Sequence, residues 1–157
     1  MTASASTQTY FRPLAGPGIA IVASASAAGL LALVAISVAS LAVAFPIVLS
    51  LVDRGRITLS ASDLATSRQL ADMAWAFVAI GALHLVAAIG AIGDSRWLQR
   101  VGITITGAGA GGSAAAAVWL LRDGGAGAAD GVPMLIVATG VYLFALAAIA
   151  TRRRITA

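Results

Sequence analysis

The sequence predicts an all-α polytopic membrane protein, a four-transmembrane-helix bundle with a long first helix. Three observations carry that expectation. Of the 157 residues, 60% are hydrophobic and 10% are charged, against about 45–50% and about 25% in an ordinary soluble domain. The mean hydropathy is +0.97. The charges stand at the ends of four long uncharged runs, each near or above the length a helix needs to cross a bilayer, about 20 residues.

The length fits one compact bundle. Residues 1–17 read as a mobile cytoplasmic tail, 18–151 as the transmembrane domain and 152–157 as a basic C-terminal tail. The spans fall at about 19–52, 73–93, 101–121 and 133–150. Residues 1–18 are polar, small and broken by Pro13 and Pro17, both of which oppose helix ahead of the first span.

Ile19 to Val52 contains 34 residues and no charge. As helix it would be about 51 Å long, too long for one upright span and too short for two. A single helix is expected, kinked at Pro46 and either tilted or extending past the membrane. Ala42-Val43-Ala44 resembles a signal-peptidase site, but the apolar stretch before it is longer than the usual ~7–15 residues.

The first loop, DRGRITLSASDLATSRQ, carries Ser60 three places before Asp63, a capping-box spacing that starts a helix near Ala61. That helix begins before its apolar part, so spans one and two should form a hairpin that projects from the bilayer. The second span follows, with Trp75 and Trp97 marking opposite interfaces as an aromatic belt does. A short DSRWLQR loop makes spans two and three antiparallel neighbours. In the third span Gly107, Gly111 and Gly112, with Gly109 between them, leave little side chain, and Gly107 and Gly111 have the GxxxG spacing. Together with Gly81 in the second span they are the candidate helix-packing residues, since small residues let backbones approach. Packing within the bundle is expected over dimerisation. The glycine-rich loop RDGGAGAADGV lacks the strand before it and the Lys-Ser/Thr after it that a phosphate loop needs. Pro133 then opens the fourth span at a favoured first-turn position.

All ten basic residues are Arg and all six acidic residues are Asp. This pattern is read as the codon bias of a GC-rich bacterial genome, which places the protein in a bacterial plasma membrane. With the N-terminus inside, Arg12, Arg96, Arg100 and Arg152 to Arg154 are cytoplasmic, while Arg54, Arg56, Arg68 and Arg122 are outside. The bias favours both termini inside. No basic face is long enough to track phosphates, so no nucleic-acid partner is expected. Zero Cys excludes disulfides, thiol catalysis and Cys-ligated metal.

Chemistry in the membrane centres on His84, the single histidine, midway along the second span. Counting from the middle of each span puts His84, Ser113, Tyr142 and Ser37 in one midplane polar layer. Gly81 and Ala88, three residues before and four after His84, are small, so that face should meet another helix. A buried imidazole needs a partner for its N–H, and Ser113 and Tyr142 are at the right depth. The bland reading is a hydrogen-bonded histidine joining two helices. The sharper ones are a proton-relay step, a substrate contact or haem ligation. Bis-histidine haem would need an imidazole from a second chain. Metal is not expected, because zinc sites gather three or four ligands.

Arg68 and Asp72 form a candidate outer-mouth pair. The bland reading is an exposed helical ion pair stabilising by about 0.3–0.5 kcal/mol; the functional one is a carboxylate that attracts cations. Asp72 lies about 18 Å along the axis from His84 and cannot touch it. No catalytic constellation of Ser, His and Asp or of paired carboxylates is present, so the protein is read as a non-enzyme. Four short helices are similar to small multidrug transporters, but those depend on a glutamate in the first span and this chain has no Glu, so nothing is carried over. The function expected is a non-catalytic accessory or scaffold subunit of a membrane complex, associated with another membrane protein or with itself. The alternatives are a small transporter or channel using the His84 layer and a haem-binding redox anchor.

Overall fold

The computed structural model describes residues 16–124 and 128–155, without the side chains of 17, 128–130 and 153–155. It contains five helices: α1 (Pro17–Asp53), α2 (Ala61–Asp72), α3 (Ala74–Ile92), α4 (Arg96–Asp123) and α5 (Ala128–Ile155). Four of them, α1, α3, α4 and α5, are long and apolar enough to cross a membrane. The chain is a multi-pass helical membrane protein.

α1 starts with Pro17 in its first turn, where the missing N–H would be unpaired anyway. It runs for 37 residues, with Pro46 inside it, a length of about 55 Å. The helix is thus continuous through Pro46, although proline cannot donate to the Ala42 carbonyl. Beyond α1, Ser60 caps α2. Its Oγ accepts from the Asp63 N–H at 3.2 Å and donates to Asp63 Oδ2 at 2.6 Å, as the spacing predicted. α2 leans on the last turns of α1, with Leu64, Ser67, Leu70 and Ala71 half-buried and its other side chains exposed.

Two boundaries differ from the hydropathy reading. α4 begins at Arg96, so the expected seven-residue loop shrinks to Gly93–Ser95. α5 begins at Ala128, which puts Pro133 inside the helix and not in its first turn. In both places the helix extends beyond the apolar run, because water as well as hydrocarbon tolerates helical backbone. The tail expected at 152–157 starts as helix, since α5 continues to Ile155. The tail expected at 1–17 lies almost wholly outside the described residues.

The spans form a ring in chain order: α1 touches α3, α3 touches α4, α4 touches α5 and α5 returns to α1. α1 and α4 occupy opposite corners without contact, and α3 meets α5 narrowly across the other diagonal. One end of the bundle holds the start of α1, the α3–α4 turn and the end of α5; we call it the near end. The far end holds α2.

The two halves are built differently. In the near half, Ala27, Ala28 and Leu31 of α1, Ala87, Ala88 and Ala91 of α3, and Ala145, Ala148 and Ile149 of α5 form one core. Seven of these nine are alanine, so the helices approach closely and gain dispersion contacts that lipid would not supply as well. In the far half no residue of α1 beyond Ala35, and none of α3 before Gly81, is buried. There the helices associate as two pairs. α1 and α3 meet at Phe45 and Phe77, whose ring centroids are 6.4 Å apart. α4 and α5 meet through Ala117, Val132 and the contact of Gly131 with Leu120.

The close approaches fall on different glycines from those the sequence suggested. A Cβ on Gly81 would sit 3.0 Å from the Ala35 carbonyl oxygen and 3.0 Å from the Ala39 Cβ, so this glycine does set the α1–α3 distance. A Cβ on Gly107, Gly111 or Gly112 would meet nothing within 4 Å. The GxxxG surface of α4 therefore faces away from its own bundle. The residues that admit neighbours are Gly102, against Ala87 and Ile149, and Gly109, against Tyr142.

Candidate functional site

The candidate site is the contact of α3 with α5 near the middle of the bundle. Small residues decide it. Gly81 and Ala88 let α3 lie close to its neighbours and bring His84 inside, where it is 7% exposed. From α5, Tyr142 reaches across the diagonal, and its hydroxyl lies 2.6 Å from His84 Nε2. The rings are tilted by 47° with centroids 5.6 Å apart. Gly109 of α4 makes room for the phenol: a Cβ there would stand 2.7 Å from the ring. Three helices thus hold one aromatic–imidazole contact.

The hydrogen bonds fix the tautomer. His84 Nδ1 lies 2.7 Å from the Ile80 carbonyl oxygen, which can only accept, so Nδ1 carries the proton. In the neutral ring Nε2 is then bare. It accepts, and the Tyr142 O–H donates. Both nitrogens are engaged within the chain.

Of the four residues expected in one polar layer, the structure joins two. Ser113 does not reach His84; its hydroxyl pairs with Thr139 Oγ1 at 2.8 Å and donates to the Gly109 carbonyl at 2.8 Å. This second contact lies within the α4–α5 pair. Ser37 is exposed on α1 and joins neither. The sequence reading missed Thr139 as a partner and Gly109 as a seat. Thr139 stands three residues before Tyr142, so the two share a face of α5.

Arg68 and Asp72 are both exposed on α2 and do not bridge. The order cation-then-anion is the weaker one along a helix, and Asp72 is the last residue of α2, where the helix dipole disfavours a negative charge. The ion pair among the described residues is at the other end, where Arg152 Nη2 meets Asp94 Oδ1 at 2.9 Å. Arg152 Nη1 also donates to the Ala91 carbonyl at 3.2 Å, and Gln99 Nε2 donates to the Gly93 carbonyl at 3.1 Å. The Ala91 and Gly93 carbonyls at the end of α3 are thereby satisfied by α5 and α4, which ties three helices together at the near end. Gln99 is 1% exposed, and its Oε1 has no partner among the described residues.

Three surface grooves follow helix seams. They lie between α1 and α5 around Ala23 and Phe144, between α4 and α5 around Ala117 and Gly140, and between α1 and α3 around Ala39 and Gly81. Their linings are almost wholly apolar, and His84 lines none of the three. Among the described residues no group of three metal-ligating side chains occurs. A haem at His84 would have to take Nε2 from Tyr142.

Comparison with known protein families, curated proteins and solved structures finds no match to this chain.

Proposed function

We propose that the chain is a non-catalytic accessory or scaffold subunit of a membrane complex. The observation that supports this is the state of His84. The one ionisable side chain that the second span buries has both nitrogens occupied by Ile80 and Tyr142. Those bonds join helices and leave no open valence for a substrate. The far half adds to the argument, because α1 beyond Ala35 and α3 before Gly81 bury no residue there, while the near half packs around an alanine core.

Native mass spectrometry of the tagged protein, released gently from its own membrane, tests this. The expected result is a mass that includes at least one different protein chain. A homo-oligomer or monomer that by itself moves a solute across vesicles overturns the reading.

One observation favours a second reading, a small transporter or channel. His84 is buried within one span and bonded to another, the kind of intramembrane ionisable group that marks ion pathways. In that reading His84→Ala abolishes a measurable flux; a flux left unchanged, with its pH dependence intact, removes it.

A further inference from the structure

We propose that the groove between the start of α1 and the end of α5 binds an anionic phospholipid, with an acyl chain along the groove and the phosphate at the arginines that close α5. The inference concerns this chain's own surface and does not rest on its role as a subunit.

The first support is the lining. Ile19, Ala20 and Ala23 of α1 face Phe144, Ala147 and Thr151 of α5 across the groove. Ile19 and Phe144 are large and exposed, while the alanines are small, so a channel remains along the seam. The Thr151 hydroxyl donates to the Ala147 carbonyl at 2.8 Å and is committed to its own helix. Such a channel takes hydrocarbon and penalises a polar occupant.

The second support is the placing of charge. Five arginines and one aspartate stand at the near end, at positions 94, 96, 100 and 152–154, whereas four arginines and five aspartates stand at the far end. The near end's one aspartate, Asp94, is already matched by Arg152 at 2.9 Å. Arg96 and Arg100 are exposed. A basic cluster at the end of membrane spans attracts anionic headgroups, and guanidinium suits phosphate in particular.

The third support is direction. On α5 the groove follows positions 144, 147 and 151, and the next position in that helical register is 154, an arginine. α5 stays helical to Ile155, so the face that lines the groove leads from hydrocarbon depth to the basic end. A phospholipid has the same order, hydrocarbon and then phosphate. The other two grooves lack it. The α4–α5 groove runs beside Leu121 and Ile136 in the far half, whose end carries more aspartate than arginine. The α1–α3 groove lies around Ala39 and Gly81, within two runs that contain no arginine.

Native mass spectrometry of the full chain in detergent, supplied with equal amounts of phosphatidylglycerol and phosphatidylcholine of the same acyl chains, counts the lipids that stay bound. Phosphatidylglycerol should be retained in preference to phosphatidylcholine. Replacing Arg153→Gln and Arg154→Gln should weaken that retention by about fivefold for each arginine removed. Ala147→Leu fills the groove at an exposed position and leaves every charge in place; it should remove the preference. Ala114→Leu fills the α4–α5 groove instead and should leave the preference unchanged. Glycerol phosphate, a headgroup without chains, should not displace the lipid. Equal retention of the two lipids, indifference to the arginine pair, a preference that survives Ala147→Leu, an equal loss in Ala114→Leu, or displacement by glycerol phosphate each overturns the site. Should the Ala147→Leu chain not fold, the lipid preference of the unaltered chain and its response to the arginine pair still decide.

Discussion

Gly107 and Gly109 are two residues apart on one helix and have opposite surroundings. A methyl group on Gly109 collides with the Tyr142 ring, whereas one on Gly107 finds open space. Gly109→Ala should therefore destabilise the bundle by about 1–3 kcal/mol, the range for overpacking, and should also weaken the His84–Tyr142 bond. Gly107→Ala should be neutral or stabilising by up to about 1 kcal/mol, as glycine removal from an unencumbered helix is. Unfolding in a mixed detergent series measures both; equal effects would mean that the phenol does not rest on Gly109. The depth of Tyr142 opposite His84 was legible in the sequence, because position along a span sets depth at 1.5 Å per residue. Ser113 was at a similar depth and joined Thr139 instead. Depth leaves the rotation of a helix about its axis open, and rotation decides which of two equally deep hydroxyls meets the ring. The same ambiguity hid the direction of the glycine face on α4.

Helices are where local chemistry speaks most clearly, and α2 is the clearest case. Its start at Ala61 follows from Ser60 and Asp63 alone, since a capping box uses only neighbouring atoms. Ser60→Ala should cost about 1 kcal/mol locally. Hydrogen exchange should quicken in the first turn of α2 while the amides of α3 to α5 keep their protection; protection lost throughout would mean that α2 and the bundle unfold together. The break between α2 and α3 at Met73 was not legible. Met73 has φ −86° and ψ 9°, and its carbonyl accepts from Ala76 at 2.9 Å and from Phe77 at 3.2 Å. Nothing in the residues marks that break. Hydropathy also misplaced the starts of α4 and α5. It registers where hydrocarbon ends, and the helices continue into the interface with Arg96, Trp97 and Gln99, where Trp97 stays 67% exposed.

For the whole molecule, four crossings put the α2 end and the α3–α4 turn on opposite faces of the bilayer. With no native cysteine, Ser62→Cys and Ser95→Cys should react with an impermeant thiol reagent from opposite sides of sealed vesicles. Labelling of both from one side would remove a span. The number of apolar helices able to span and the unusual length of α1 were determined by the sequence by itself, because each depends on the length of an uncharged run and on the refusal of hydrocarbon to leave backbone polar groups unpaired. The tertiary structure alone decided that the near half packs as an alanine core while the far half splits into pairs, and that Tyr142, seated on Gly109, is the partner of His84. Inside a bilayer nearly every face of these helices is apolar, so hydrophobicity does not say which face turns inward. Small-residue fit and a few hydrogen bonds make that choice, and they exist only once the helices have met.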